Sequence, residues 1–192
     1  WEKSLSSLAV YVFSAQGDLI TQRDFTASEL SARSARFSLP HATAGTTCDF
    51  YAVANYSSLS GVTTKSSLLA KLETAAADYN GTFTEVSTKA KRSGGFVMTA
   101  GVSKAIAEGG TTSVALTLKR TVAKVAVQTS VDASFSSKYS GTLTVTSAKL
   151  LHAASQTPII APATPTPGAM SYTHTQTATA AAGKYNNLFY LF

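Results

Sequence analysis

Residues 112–131 read TSVALTLKRTVAKVAVQTSV, twenty residues in which apolar side chains fall on alternate positions. Val114, Leu116 and Leu118 keep a period of two up to Lys119-Arg120, and Val122, Ala123, Val125 and Val127 resume their own alternation beyond it. Alternation of this kind puts one set of side chains on each face of a strand, whereas a helix repeats at three and four. Strands usually run ~5–6 residues, so a bulge is expected to divide the run, or one strand bends between sheets.

The same period recurs on either side of this run. Leu8-Ala9-Val10-Tyr11-Val12-Phe13 alternates, Ala15-Gln16-Gly17-Asp18 supplies turn chemistry, and Leu19-Ile20-Thr21 resumes extended chain, together a hairpin. Ala35-Arg36-Phe37-Ser38-Leu39 reads as a strand stopped by Pro40, which cannot donate to a ladder. Cys48 to Tyr56 reads as another, with Cys48, Phe50, Ala52 and Ala54 on one face and Tyr51 and Val53 on the other. Phe96-Val97-Met98 sits between glycines, and Thr142 to Leu151 alternates again. One segment breaks the pattern. Leu68, Leu69, Leu72, Ala75 and Ala76 recur at helical spacing between Ser66 and Tyr79, with Ser66 or Ser67 as cap and Asn80-Gly81 as stop. About seven strands and one short helix give an all-β fold, an antiparallel β-sandwich.

From Ala153 the character changes, because Pro158, Pro162, Pro165 and Pro167 fall close together among Ala and Thr. Such a stretch favours extended, unladdered chain. The expected organisation is therefore a sandwich over 1–155, then a Pro-rich linker and the start of a second β domain over 156–192. The closing strand Asn187-Leu188-Phe189-Tyr190-Leu191-Phe192 finds no partner within that linker.

Charged residues make up 14% of the chain, below the ~25% of typical soluble domains, while Ser, Thr, Ala and Val abound. This is a neutral, hydroxyl-rich composition suited to strands and to surface exposure. The net charge of +6 is scattered rather than gathered into a stripe interleaved with aromatic rings, so no nucleic-acid partner is expected. Cys48 is the only cysteine and lies in an apolar run, where a small buried hydrophobe is its expected role. His41, His152 and His174 are far apart and the ten acidic residues are dispersed, so no metal, cofactor or catalytic constellation is read, and no enzyme is expected. Tyr11, Tyr51, Tyr56 and Tyr79 are candidate sugar-stacking rings, set against the commoner role of amphipathic residues at sandwich edges. Arg120 and Lys124 read as solvent-facing, and Met98 as core. An opening Trp1 in place of Met reads as a processed or trimmed chain.

Three segments in order carry a family resemblance. They are Leu8–Phe13 followed by Gly17-Asp18-Leu19, then Tyr51-Ala52-Val53-Ala54-Asn55, then Phe96-Val97-Met98-Thr99 with Leu116-Thr117-Leu118-Lys119-Arg120-Thr121-Val122-Ala123-Lys124-Val125. Over roughly residues 5–151 the chain resembles the N-terminal domain of the Bacteroidales fimbrillins, the major and minor subunits of type V pili. Phe189-Tyr190-Leu191 resembles an early strand of their C-terminal domain. The resemblance implies a transthyretin-like sandwich, export as a lipoprotein precursor to the outer membrane, and removal of an N-terminal strand by a protease cutting after Arg or Lys. It implies polymerisation with other fimbrial subunits through strand addition, and adhesion to a host or bacterial surface receptor. The residues expected to line the core or its assembly groove are Leu8, Val10, Val12, Val122, Val125 and Val127. The other reading is a monomeric surface adhesin or glycan-binding lipoprotein with the same sandwich.

Overall fold

Alternation builds the centre of the structure, a computed structural model that describes residues 2–75, 80–82, 95–130, 132–141, 145–161, 165–166, 170–175 and 185–192. Its strands in chain order are β1 (Leu8–Phe13), β2 (Leu19–Asp24), β3 (Thr47–Ala54), β4 (Leu72–Thr74), β5 (Asn80–Thr82), β6 (Met98–Ala105), β7 (Lys119–Arg120), β8 (Ala123–Thr129), β9 (Ser147–Ala153), β10 (Gln156–Pro158), β11 (Met170–Thr175) and β12 (Tyr185–Leu191). Among the described residues three short helices accompany them, α1 (Ala27–Ala32), α2 (Lys65–Leu69) and α3 (Phe135–Lys138), with a 3-10 turn at His41–Thr43. The fold is all-β, as expected, with more and shorter strands than the seven or so read from the sequence.

Two compact units interleave along the chain. Trp1–Glu73, Arg92–Thr121 and Thr157–Thr164 form the first; Thr74–Lys91, Val122–Gln156 and Pro165–Phe192 form the second. Only one crossing, Gln156 to Thr157, lies next to the division expected at 155/156.

Unit 1 holds a five-stranded antiparallel sheet in the order β2-β1-β3-β6-β7. The expected hairpin is present: Ser14 N–H donates to the Asp18 carbonyl at 2.9 Å, and Gly17 takes a φ of 93° that a side chain would oppose. Both faces of β1 are covered. Ala9, Tyr11 and Phe13 pack with Val53, Val62, Leu68, Val97, Ile159 and Ile160, while Val10 and Val12 pack with Cys48, Phe50 and Ala52 on the reverse. The faces of β3 match the sequence reading, and Cys48 is buried as expected.

In unit 2, the sheet β5-β12-β8 lies against the pair β11-β9 through Phe189, Leu191 and Val127 on one side and Ala148, Leu150 and Ala153 on the other. The closing strand is thus the middle strand of a sheet, registered with β8 from Tyr185↔Thr129 to Leu191↔Ala123. Its partner is a segment that the sequence reading assigned to the first domain.

Three other expectations are corrected. The helix expected over Ser66–Tyr79 is confined to α2, capped by Thr64 in a reciprocal box with Ser67; Leu72–Thr74 is strand, and 76–79 lie outside the described residues. Pairing with β10 overrides the helical spacing, as tertiary context commonly does: the Ile159 N–H donates to the Lys71 carbonyl at 3.0 Å. The Pro-rich stretch is not simply a linker, since Thr157, Ile159 and Ile160 are buried in unit 1 and Pro158 ends a strand, where its missing N–H does no harm. Among the described residues the run 112–131 contributes β7 and β8 as ladders, broken at Thr121-Val122 where the chain changes unit.

α2 is tied to the sheet by Lys65 Nζ, 2.7 Å from Asp49 Oδ2 and 5.8 Å from the centre of the Tyr51 ring. Ser103 Oγ also donates to Asp49. Burial pushes the Asp49 carboxyl up, but the hydrogen bonds from Lys65 and Ser103 and the Lys65 charge outweigh it, leaving the group below its ordinary range. The hydrogen bond to Asp49 chiefly holds Lys65 above its ordinary value. A lowered carboxylate stabilises the fold above its unfolded value and loses that effect as pH falls through the folded one; a raised ammonium stabilises below its unfolded value and loses that effect as pH rises. The advantage of the native chain over Asp49→Asn should therefore hold between roughly pH 5 and 9 and shrink at both ends. Urea titrations across pH check this, and a difference independent of pH would contradict it.

Gly101 faces Tyr51 across the β3–β6 ladder, and a Cβ there would stand 2.7 Å from Tyr51 Cε1 and 2.9 Å from Cδ1. The ring has little freedom to retreat, because Phe13 lies edge-on to it at 6.0 Å between centroids. Gly101→Ala should cost about 1–3 kcal/mol, read from the urea midpoint at unchanged slope.

Candidate assembly face of unit 1

The Val10 and Val12 face of the sheet has an unusual cover. Residues 35–39 and 111–118 lie outside the helices and strands, yet both alternate half-buried with exposed side chains. Phe37 and Leu39 from the first strip, and Val114, Leu116 and Leu118 from the second, pack on the cluster of Val10, Val12, Cys48, Phe50 and Ala52. Leu8, Ile20, Phe25, Ala100 and Ile106 complete its rim. Neither strip belongs to a ladder, and among the described residues neither makes a backbone–backbone hydrogen bond. The strand expected at Ala35–Leu39 therefore has the period of a strand without its partner.

The surrounding elements hold these strips in place. At one end Gly45 N–H donates to the Ile106 carbonyl at 3.0 Å and Ile106 N–H to the Thr46 carbonyl at 2.8 Å. Thr43 N–H and Oγ1 both donate to the Pro40 carbonyl, at 3.0 and 2.7 Å. The turn leading into 111–118 is pinned where Ala107 N–H donates to Thr112 Oγ1 at 2.9 Å. Ahead of 35–39, α1 carries a capping box between Thr26 and Glu29, and Glu29 pairs with Arg23 at 2.8 Å.

β1 is itself positioned by Asn55, which has a φ of 60°. Its Oδ1 accepts from Ser6 N–H at 2.9 Å and Ser7 N–H at 3.3 Å, while Nδ2 donates to the Ser4 carbonyl at 2.7 Å and the Phe96 carbonyl at 2.9 Å. One carboxamide thus fastens the segment that leads into β1 to the segment that leads into β6. Asn tolerates the left-handed region that this clamp requires.

The six expected groove residues divide between the units. Leu8, Val10 and Val12 lie together in the covered face. Val122, Val125 and Val127 belong to unit 2, with Val127 packed in its core, Val122 half-buried and Val125 exposed on β8. Arg120 and Lys124 are exposed: the Arg120 guanidinium donates to the Glu2 carbonyl at 3.3 Å, and the Lys124 ammonium lies 6.0 Å from the Tyr190 ring centre. Met98 is buried. Phe37, Leu39, Leu116 and Leu118, which pack on the same face, are not among the six; their signal was the alternation itself, read as ordinary strand.

Residues 2–191 match the family described as the fimbrillin-A associated anchor proteins Mfa1 and Mfa2. The chain belongs to that family. The match extends the fimbrillin resemblance from the first part of the chain to nearly its whole length. Two solved structures share the fold of this anchor-family chain. A fimbrial assembly protein from Parabacteroides distasonis superposes with a TM-score of 0.59 at 14% identity, over 100% of this chain and 70% of that one. The C-terminally truncated tip fimbrial protein Mfa3 from Porphyromonas gingivalis gives 0.56 at 18% identity, over 98% of this chain and 64% of that one. No curated protein matches by sequence.

Asn55 provides a separable test. Asn55→Gly keeps the backbone conformation but removes the carboxamide, and should cost about 3 kcal/mol at ~1 kcal/mol for each of the three stronger bonds lost. Asn55→Ala should cost about 1 kcal/mol more, from the left-handed backbone. Amide exchange at Ser6 and Ser7 should rise in both variants, and native-like protection there would contradict the clamp.

Proposed function

We propose that this chain is a structural subunit of a cell-surface fimbria, and that it assembles by accepting an extended segment of a neighbouring subunit over the face floored by Leu8, Val10 and Val12. The observation that carries this reading is the pair of strips at 35–39 and 111–118, whose side chains are packed while their backbones have no ladder partner among the described residues. An incoming strand supplies the missing donors and acceptors and covers the half-buried Phe37, Val114, Leu116 and Leu118 more completely, so ladder and burial act together. Family membership supports the fimbrial role.

On this reading a transthyretin-like sandwich reaches the outer membrane as a lipoprotein precursor. A protease cutting after Arg or Lys then removes an N-terminal strand, and the vacated groove takes the donor from another subunit. Adhesion to a host or bacterial receptor would follow from display on the fimbria. Val122, Val125 and Val127 enter differently. Among the described strands β8 pairs only with β12, which makes it a sheet edge, and exposed Val125 gives that edge an apolar contact for a second extended segment.

Native trypsin treatment of the full-length protein should yield SDS-resistant ladders on gels and filaments in electron micrographs. Leu116→Asp, which puts a charge on the groove wall, should reduce ladder yield about tenfold, equivalent to ~1.4 kcal/mol of lost association, measured at a temperature where its own melting curve shows the monomer folded, since Leu116 also packs on the Val10 cluster. Undiminished ladders from this variant would rule out the assigned face, and a monomer throughout would rule out assembly by strand addition.

A further inference from the structure

On the opposite face of unit 1, beside β2, lies an open cleft of about 360 Å³ lined by Gln22, Asp24, Tyr56, Ser57, Leu59, Ser60, Gly61 and Val62. One wall comes from β2, where Gln22 and Asp24 are two residues apart and so share a face. The opposite wall is the loop after β3. We propose that this cleft binds a neutral pyranose unit of a glycan, a site independent of the strand-accepting face.

The chemistry favours a sugar over an apolar ligand. Gln22 offers a carboxamide, Asp24 a carboxylate, and Ser57 and Ser60 hydroxyls, the planar and rotatable groups that match adjacent ring hydroxyls. Tyr56 and Leu59 add an apolar contact of the kind that covers the C–H face of a pyranose. The hydroxyl of Tyr56 is committed to the Leu72 carbonyl at 2.9 Å, and the ring packs against the core, so the side chain is held in place at the cleft wall.

The site is also preorganised. Gln22 Nε2 lies 3.4 Å from Asp24 Oδ1, so the carboxamide and the carboxylate stand side by side. The loop wall is held by Lys71 Nζ, which donates to the Ser60 carbonyl at 2.8 Å, by the burial of Val62, and by Gly61 at a φ of 75°. Rigid walls lower the ordering cost of binding. One strand inward, Tyr11 is the register partner of Gln22; its hydroxyl is fully buried with no hydrogen-bond partner among the described residues. Burial, and then the charge of Asp24, hold that phenol above its ordinary range, which puts Asp24 within electrostatic reach of it.

Saturation-transfer NMR with the methyl pyranosides of glucose, galactose, mannose and N-acetylglucosamine tests the proposal. At least one should bind saturably with a Kd on the order of 1–10 mM, the range of a small ligand in an open site. Gln22→Ala/Asp24→Ala and Tyr56→Leu should each weaken it about tenfold, with melting curves reporting that the fold survives. Amide shift mapping on the unmutated chain supplies a readout that needs no variant, and perturbations should centre on residues 22–24 and 56–62. No saturable binding by any of the four sugars, affinity unchanged in the variants, or shifts confined to another surface would each overturn it. Because the strand-accepting face is read by ladders and filaments, failure of either proposal leaves the other standing.

Discussion

Burial of β1 on both faces is the constraint from which the arrangement of unit 1 follows. A strand with Ala9, Tyr11 and Phe13 on one side and Leu8, Val10 and Val12 on the other cannot leave either face in water, because each large apolar side chain gains ~1.5–3 kcal/mol from being covered. It therefore sits inside the sheet between β2 and β3, with a separate apolar layer on each side. The first layer recruits distant chain, bringing Leu68 and then Ile159 and Ile160 onto Tyr11 and Phe13. The second recruits the strips around Phe37 and Leu116. One short stretch thus dictates what segments from much of the chain must do.

The two layers are finished differently. On the Tyr11 side the cover includes residues bonded through their backbones, as where Ile159 meets Lys71. On the Val10 side the covering strips make no backbone–backbone hydrogen bond among the described residues. Hydrophobic contact is non-directional and fixes no register, whereas a ladder does. A partner on this side would therefore be selected by the spacing of its side chains along an extended backbone more than by the chemistry of any one of them.

Period-two alternation was legible wherever both the side chains and the ladder were local. The hairpin of β1 and β2 and the two faces of β3 follow from residue spacing, because turn chemistry at Gly17-Asp18 and strict alternation point the same way. Legibility ended where distant partners decided the outcome. Leu72 has helical spacing from Leu68, yet pairing with Gln156–Pro158 makes it strand. Ile159 and Ile160 sit among prolines that signal a linker, but two adjacent isoleucines carry enough apolar surface to be drawn into a core. For Val122, Val125 and Val127 the period was read correctly while the unit was not, since nothing local reveals that the chain crosses over at Thr121-Val122. The cleft beside β2 was invisible for the same reason: Gln22 and Asp24 meet Tyr56 only after β1 and β3 are in place. A Tyr ring by itself reads as an edge residue.

Cys48, the chain's single thiol, is 1% exposed beneath the layer that contains Phe37 and Leu116. A thiol in that position is shielded from oxidants and from disulfide exchange with other molecules. In an oxidising exterior this would keep folded copies from forming adventitious covalent cross-links through the sulfur. It also makes the sulfur a built-in gauge of integrity: modification by a thiol reagent would report that the sheet had opened.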